Sequence, residues 1–224
     1  MKKNSSFNLK IAVSICFLLI AGSSYAHTIN YALEKAPAGN VFLYYLKLGY
    51  MHILPNGFDH ILFVTGLCLL NNKINTILWQ ATAFTVAHSI TLALSMKNII
   101  VAPSAVVEPV IALSILFVAV ENLLIAKLSA WRILLVFMFG LIHGMGFASS
   151  LNEIGLPRDK FFLSIFSFNV GVELGQMTVI MLVFGLIIFP FHSIKNYKRT
   201  IVYPLSIIIA LIASYWTIER IFFV

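Results

Sequence analysis

His52–Leu70 reads HILPNGFDHILFVTGLCLL, and two of its features pull against each other. Phe58 to Leu70 has the composition of a membrane helix, yet Pro55-Asn56-Gly57 interrupts the longer apolar stretch that begins at Val41. Proline removes a backbone donor and glycine loosens the chain, leaving polar groups that a regular helix cannot satisfy inside a bilayer. The stretch therefore predicts one span, Val41–Leu70, broken at Pro55–Gly57, with Val41–Leu54 as a lead-in helix or re-entrant piece. Phe58–Leu70 alone is shorter than the roughly 20 residues that a hydrocarbon core about 30 Å thick requires.

The rest of the chain agrees with that environment. Of 224 residues, 60% are hydrophobic and only 10% charged, a composition that excludes a soluble globular protein. Further apolar stretches run from Ile74 to Met96, Ser104 to Ala126, Trp131 to Leu151, Phe161 to Phe189 and Ile201 to Val224. The fold class expected is an all-α polytopic membrane helix bundle of about six transmembrane helices, with 27–224 as a single transmembrane domain. No tandem repeat, extramembrane domain or Walker-type glycine loop is present, so any transport would run on a gradient or with a partner.

The amino terminus, MKKNSSFNLKIAVSICFLLIAGSSYAH, sets a basic region before a short apolar run and ends in Ser24-Tyr25-Ala26. This is the pattern of a secretory signal peptide, residues 1–26, cleaved after Ala26. The alternative is an uncleaved first helix, for which Ile11 to Ala21 is short. Cleavage would remove three lysines, taking the formal charge from +7 to about +4, and would leave Cys68 as the only cysteine, with no intramolecular disulfide.

Orientation follows from basic residues near helix ends. Lys73, then Lys127 and Arg132, then Lys195, Lys198 and Arg199 fall in alternate loops without acids, whereas NEIGLPRDK (152–160) mixes signs. The expectation is a multi-pass membrane protein whose mature amino and carboxyl termini both lie outside. The dispersed basic residues argue for topology and against nucleic acid.

Ionisable groups within spans are expensive, by about 2.5–3.5 kcal/mol on insertion scales, so each needs a partner or a task. Asp59 and His60 open the second half of the broken span; Asp59 could simply cap that half-helix, which leaves His60 and His52 unexplained. His88 lies in mid-span in FTVAHSITLALS, either as a buried neutral histidine or as a ligand. Glu108 and Glu121 stand near the two ends of the third span, Glu121 within reach of a structural ion pair with Lys127. Gly140 and Gly144 flank His143 in a pattern that lets helices approach closely. In FNVGVELGQ, Asn169, Glu173 and Gln176 share one helix face, with Gly171 and Gly175 as a second close-packing pair. Glu173 has no evident basic partner and is either protonated or bound to a cation. Imidazoles with carboxylates in one membrane layer suit a divalent transition metal such as Ni, Co, Zn or Cu, whereas calcium or magnesium would want oxygen alone.

The motifs GFDHILFVTGLCLL, FTVAHSITLAL, FGLIHGMGFA and FNVGVELGQ, with the leader and six spans, resemble the HupE/UreJ family of bacterial membrane proteins. The resemblance implies a secondary metal permease, associated with nickel supply to hydrogenase and urease and sometimes with cobalt. The nickel-permease branch carries H-x5-D-H in the first span; here the motif is His52-x6-Asp59-His60. In the later F-H-G-x-A-H-G-x-E motif, Phe139 replaces the first histidine and Gly146 stands at the glutamate, while His143-Gly144 remains. This places the chain with a divergent branch, in which Glu173 can supply the acid.

The expectation is thus a metal permease, not an enzyme, with His60, His88 and His143 binding the cation and Asp59 and Glu173 balancing its charge. His52, Glu108, Glu121, Asn169 and Gln176 are candidates for supporting or lining the path. His27, the mature amino terminus after cleavage, could form an external metal site. Met138, Met145 and Met177 could offer soft ligands but more simply serve packing. No permanent cofactor is expected, only a transition-metal ion as substrate, with the lipid bilayer and a periplasmic metal chaperone as candidate partners. The rival readings are an intramembrane zinc hydrolase, against which the lack of H-E-x-x-H counts, and a non-transporting metal-handling module for metalloenzyme maturation.

Overall fold

The computed structural model describes residues 31–70, 73–125 and 131–223. The leader 1–26, His27 and Lys127, on which parts of the sequence reading rest, lie outside the described residues. After a single turn at Tyr31–Glu34, the main helices are α1 (Ala38–Ile53), α2 (Phe58–Leu69), α3 (Ile74–Met96), α4 (Ser104–Leu124), α5 (Arg132–Ile154), α6 (Phe161–Val183) and α7 (Tyr203–Phe222). No strand occurs among the described residues. Among the described residues, five helical runs are long and apolar enough to cross a membrane: Ile74–Met96, Ser104–Leu124, Arg132–Ile154 and, counting the irregular turns that extend them, Arg158–Phe191 and Lys198–Phe222. Leu43, Trp79, Phe162 and Leu211 are among the large apolar side chains left on the outside, where lipid would cover them.

α1 and α2 are the two pieces of the span that the sequence expects to be broken. α1 stops at Ile53 and α2 starts at Phe58, so the interruption falls at Pro55–Gly57 as the sequence predicts. The N–H of Gly57 bonds the carbonyl of Ile53 (3.1 Å), and the Gly57 carbonyl then accepts from Ile61 (2.9 Å) to open α2. A Cβ on Gly57 would collide with the carbonyl oxygen of His52. The turn closes this tightly only because residue 57 has no side chain.

Three helix pairs enclose α2. α1 runs parallel to α6 at close range: a Cβ on Gly171 would strike the Leu46 carbonyl, and one on Gly175 would meet Ile53. α3 runs parallel to α5, with Gly140 against Phe84 and Ala87, and Gly144 against His88 and Thr91. α4 and α7 form the third pair, antiparallel, and Arg220 in the last turn of α7 reaches Glu108 in the second turn of α4. α2 leaves the α1 track and lies along α4, where Asn122 Nδ2 donates to the carbonyl of Gly66 (2.9 Å). Hence α1, α2, α4 and α6 point one way and α3, α5 and α7 the other. The start of α1 and the end of α7 share one face, here the first face; Lys73, Arg132 and Lys198 mark the second.

Candidate metal centre

The break between α1 and α2 builds the site. α1 ends just after His52 and α2 begins two residues before His60, so the turn folds the two imidazoles onto each other, with ring centroids 4.8 Å apart. α3 supplies His88, whose ring centroid lies 6.0 Å from both. His52, His60 and His88 each offer one ring nitrogen, and these nitrogens lie within 4.8 Å of one another. Phe147 (3.9 Å from the His52 ring) and Phe168 (5.6 Å) wall one side, and Phe84 (5.6 Å from the His60 ring) walls another. His60 and His88 are buried, 5% and 0% exposed.

Hydrogen bonding leaves this group ready to ligate. The Asn169 amide is oriented by Nδ2, which donates to the Ile165 carbonyl (2.8 Å), so Oδ1 faces His88 Nδ1 at 3.1 Å. An amide oxygen only accepts; Nδ1 therefore carries the proton and Nε2 keeps its lone pair. Buried His88 Nε2, His60 Nδ1 and His52 Nε2 have no hydrogen-bond partner among the described residues. Three unpaired polar atoms in one apolar pocket would be costly unless something binds them. Tetrahedral coordination with bonds of about 2.0–2.1 Å sets ligand nitrogens about 3.3–3.4 Å apart, so the rings need to close by at most about 1.5 Å.

The remaining sequence candidates divide around this centre. His143, expected as a ligand, packs beside His60 (centroids 5.1 Å apart) but bonds Ser114 through Nε2 (3.1 Å). The Ser114 hydroxyl donates to the Ile111 carbonyl (2.7 Å), so His143 Nε2 is the donor to Ser114. His52, expected to support the site or line the path, is the third member of the histidine group. Asp59, expected to balance the metal's charge, is gripped instead by Arg220 Nη2 at 3.0 Å to each carboxylate oxygen. Arg220 Nη1 lies 3.3 Å from a Glu108 carboxylate oxygen.

Glu121 is paired with buried Arg132, Nε to Oε2 at 3.1 Å; Lys127, the partner expected from the sequence, lies outside the described residues. The contact is a charge pair without hydrogen-bond alignment. Glu173 lies outside the histidine group; its Oε1 accepts from Thr82 (2.7 Å), while its Oε2 is buried without a partner. Gln176, fully buried, has neither amide atom paired. The sequence reading did not single out Arg220, Ser114 or Thr82. Arg220 had a signal, a lone cation in the last turn of an apolar span; the two hydroxyl residues had none.

Residues 27–220 match the family model described as HupE / UreJ protein. No curated protein and no solved structure matches the chain. With nearly the whole length covered, the chain belongs to the HupE/UreJ family.

Proposed function

We propose that this protein is a secondary permease for a divalent transition metal, with nickel or cobalt favoured over copper or zinc, and that the cation passes through the site formed by His52, His60 and His88. The observation that carries this reading is the placement of three unpaired imidazole nitrogens at the break of a membrane-crossing helix. Discontinuous helices are where secondary transporters put their substrates, because the ends of half-helices can move relative to each other. Imidazole is a borderline ligand, suited to these metals and not to calcium or magnesium. Family membership agrees with metal uptake or urease maturation.

The same reading includes an inner-membrane location, a cleaved leader at 1–26 and periplasmic ends on the first face. Lys73, Arg132, Lys195, Lys198 and Arg199 gather at the second face, which supports placing that face in the cytoplasm. A hydrolase would need a carboxylate at the metal to activate water. Asp59 is held by Arg220 and Glu173 by Thr82, which favours transport over catalysis.

The test is metal flux into liposomes containing the purified protein, offered nickel, cobalt, copper and zinc in turn, beside a His52/His60/His88 triple-alanine variant. Selective flux that disappears in the variant is the expected result. Tight binding without flux would move the assignment to a metal-handling module, and equal flux in both proteins would end it.

A further inference from the structure

Two ion pairs flank the histidine centre along α4, and the transport reading gives neither a task. Glu108 and Glu121 are separated by 13 residues, about 20 Å of helix, and Ser114, which holds His143 beside His60, sits midway. At the first face, Arg220 spans Asp59 and Glu108 while its guanidinium lies 5.4 Å from the Trp216 ring centre. A cavity of about 600 Å³ lined by Ser95, Met145, Gly146, Ser149, Asn152 and Glu153 opens at this face. Its Gly146 wall is 3.8 Å, measured from an added Cβ, from Glu108 Oε1. Glu108, one of the carboxylates that Arg220 holds, thus lies beside this recess. At the other end, Arg132 and Glu121 pair with side chains only 2% and 4% exposed, next to Asn122, which ties α4 to α2.

The buried Arg132–Glu121 pair is not explained by stability, and the partly exposed Arg220 group contributes little to it. Bringing two charges out of water costs more than their attraction commonly returns, and buried pairs are best attested as registers or switches. Among the described residues Arg132 Nη1 and Nη2 have no hydrogen-bond partner, so this pair is far from its most stable arrangement. Arg220 sits in the last turn of α7, the part of a helix that opens most cheaply.

We propose that Arg220 and Arg132 are the two closures of the path through the histidine centre, each a tethered cation holding carboxylates across one end, released one at a time. Arg220 is the closure on the cavity side: an arriving divalent cation competes with it for Asp59 and Glu108, and its departure uncovers His60, the next residue in the chain. Arg132 is the closure on the opposite side, and its release from Glu121 frees the end of α2. The inference rests on the transport reading, but it concerns access and can be tested without metal.

Cys68 is a built-in reporter. It is fully buried on α2, about 12 Å beyond His60, and within electrostatic reach of Arg132. In a Cys16→Ser background, its modification by a membrane-impermeant thiosulfonate would be followed in right-side-out and inside-out vesicles. Wild-type Cys68 should be protected from both sides. Arg132→Gln, and the neutral pair Arg132→Gln/Glu121→Gln, should accelerate its labelling from one side by about tenfold or more; the exchanged pair Arg132→Glu/Glu121→Arg should restore protection. With Cys68→Ser and a thiol placed by Ser114→Cys, Arg220→Gln should accelerate labelling from the opposite side only, and Arg220→Lys much less. Continued protection in Arg220→Gln or in the neutral pair, failure of the exchanged pair to protect, or labelling from both sides at once overturns the proposal. Closures that behave as expected in a protein without metal flux would sink the permease reading alone.

Discussion

Asn169 Oδ1 lies 3.1 Å from His88 Nδ1, and this one hydrogen bond decides which nitrogen of His88 keeps its lone pair for a ligand. Because Asn169 Nδ2 is committed to the Ile165 carbonyl, the amide cannot flip without losing a second bond. Partners of this kind fix ring orientation, and their loss typically lowers metal affinity about 10- to 100-fold. Asn169→Leu, close in size and without the acceptor, should therefore weaken nickel or cobalt binding by that factor, measured by calorimetry on the detergent-solubilised protein. An unchanged affinity would show that packing between Phe84 and Phe168 alone orients the ring.

His52 and His143 should differ in rank. His52 belongs to the three-nitrogen group, whereas His143 spends Nε2 on Ser114. His52→Ala should reduce metal affinity by more than about 100-fold, beyond the range of supporting residues. His143→Gln should stay within that range. The reverse order in a binding titration would return His143 to the ligand set.

The difference between these two histidines marks where the sequence stops being informative. The helical class, the limits Ile74–Met96 and the interruption at Pro55–Gly57 were legible because hydropathy and backbone chemistry act locally. So was the sharing of one α6 face by Asn169 and Glu173, which meet His88 and Thr82 on α3. Depth could be read, but rotation and lateral offset could not. That α2 leaves the α1 track, so that Asp59 turns to Arg220 161 residues away while His60 turns to His52, is a tertiary outcome with no local signature.

Gly144 ties the packing of two helices to the centre. A Cβ there would run into the His88 carbonyl and Thr91 Oγ1, forcing α3 away from α5 at the level of a ligand. Gly144→Ala should destabilise the protein by about 1–3 kcal/mol, the usual cost of overpacking, and lower metal affinity as His88 is displaced. Gly39→Ala is the control, since nothing lies within 4 Å of its added Cβ. Thermal unfolding followed with and without nickel separates the two effects: the metal-induced rise in melting temperature should shrink in Gly144→Ala and persist in Gly39→Ala.

Glu173 separates binding from movement. Its Oε1 is occupied by Thr82 and it is not part of the three-histidine group, yet its Oε2 is buried without a hydrogen-bond partner among the described residues, one turn along α6 from Asn169. A cation leaving the histidines toward the second face would meet this carboxylate next, about 6 Å further along the helix axis. Glu173→Gln keeps the shape and the Thr82 bond but removes the charge. Equilibrium affinity should change by less than about threefold, well under the loss expected for a ligand or its hydrogen-bonded support, while the rate of flux in liposomes falls at least about tenfold because a carboxylate is no longer there to balance a dehydrated cation in transit. A large fall in affinity with unchanged flux at saturating metal would instead place Glu173 among the groups that bind the ion at rest.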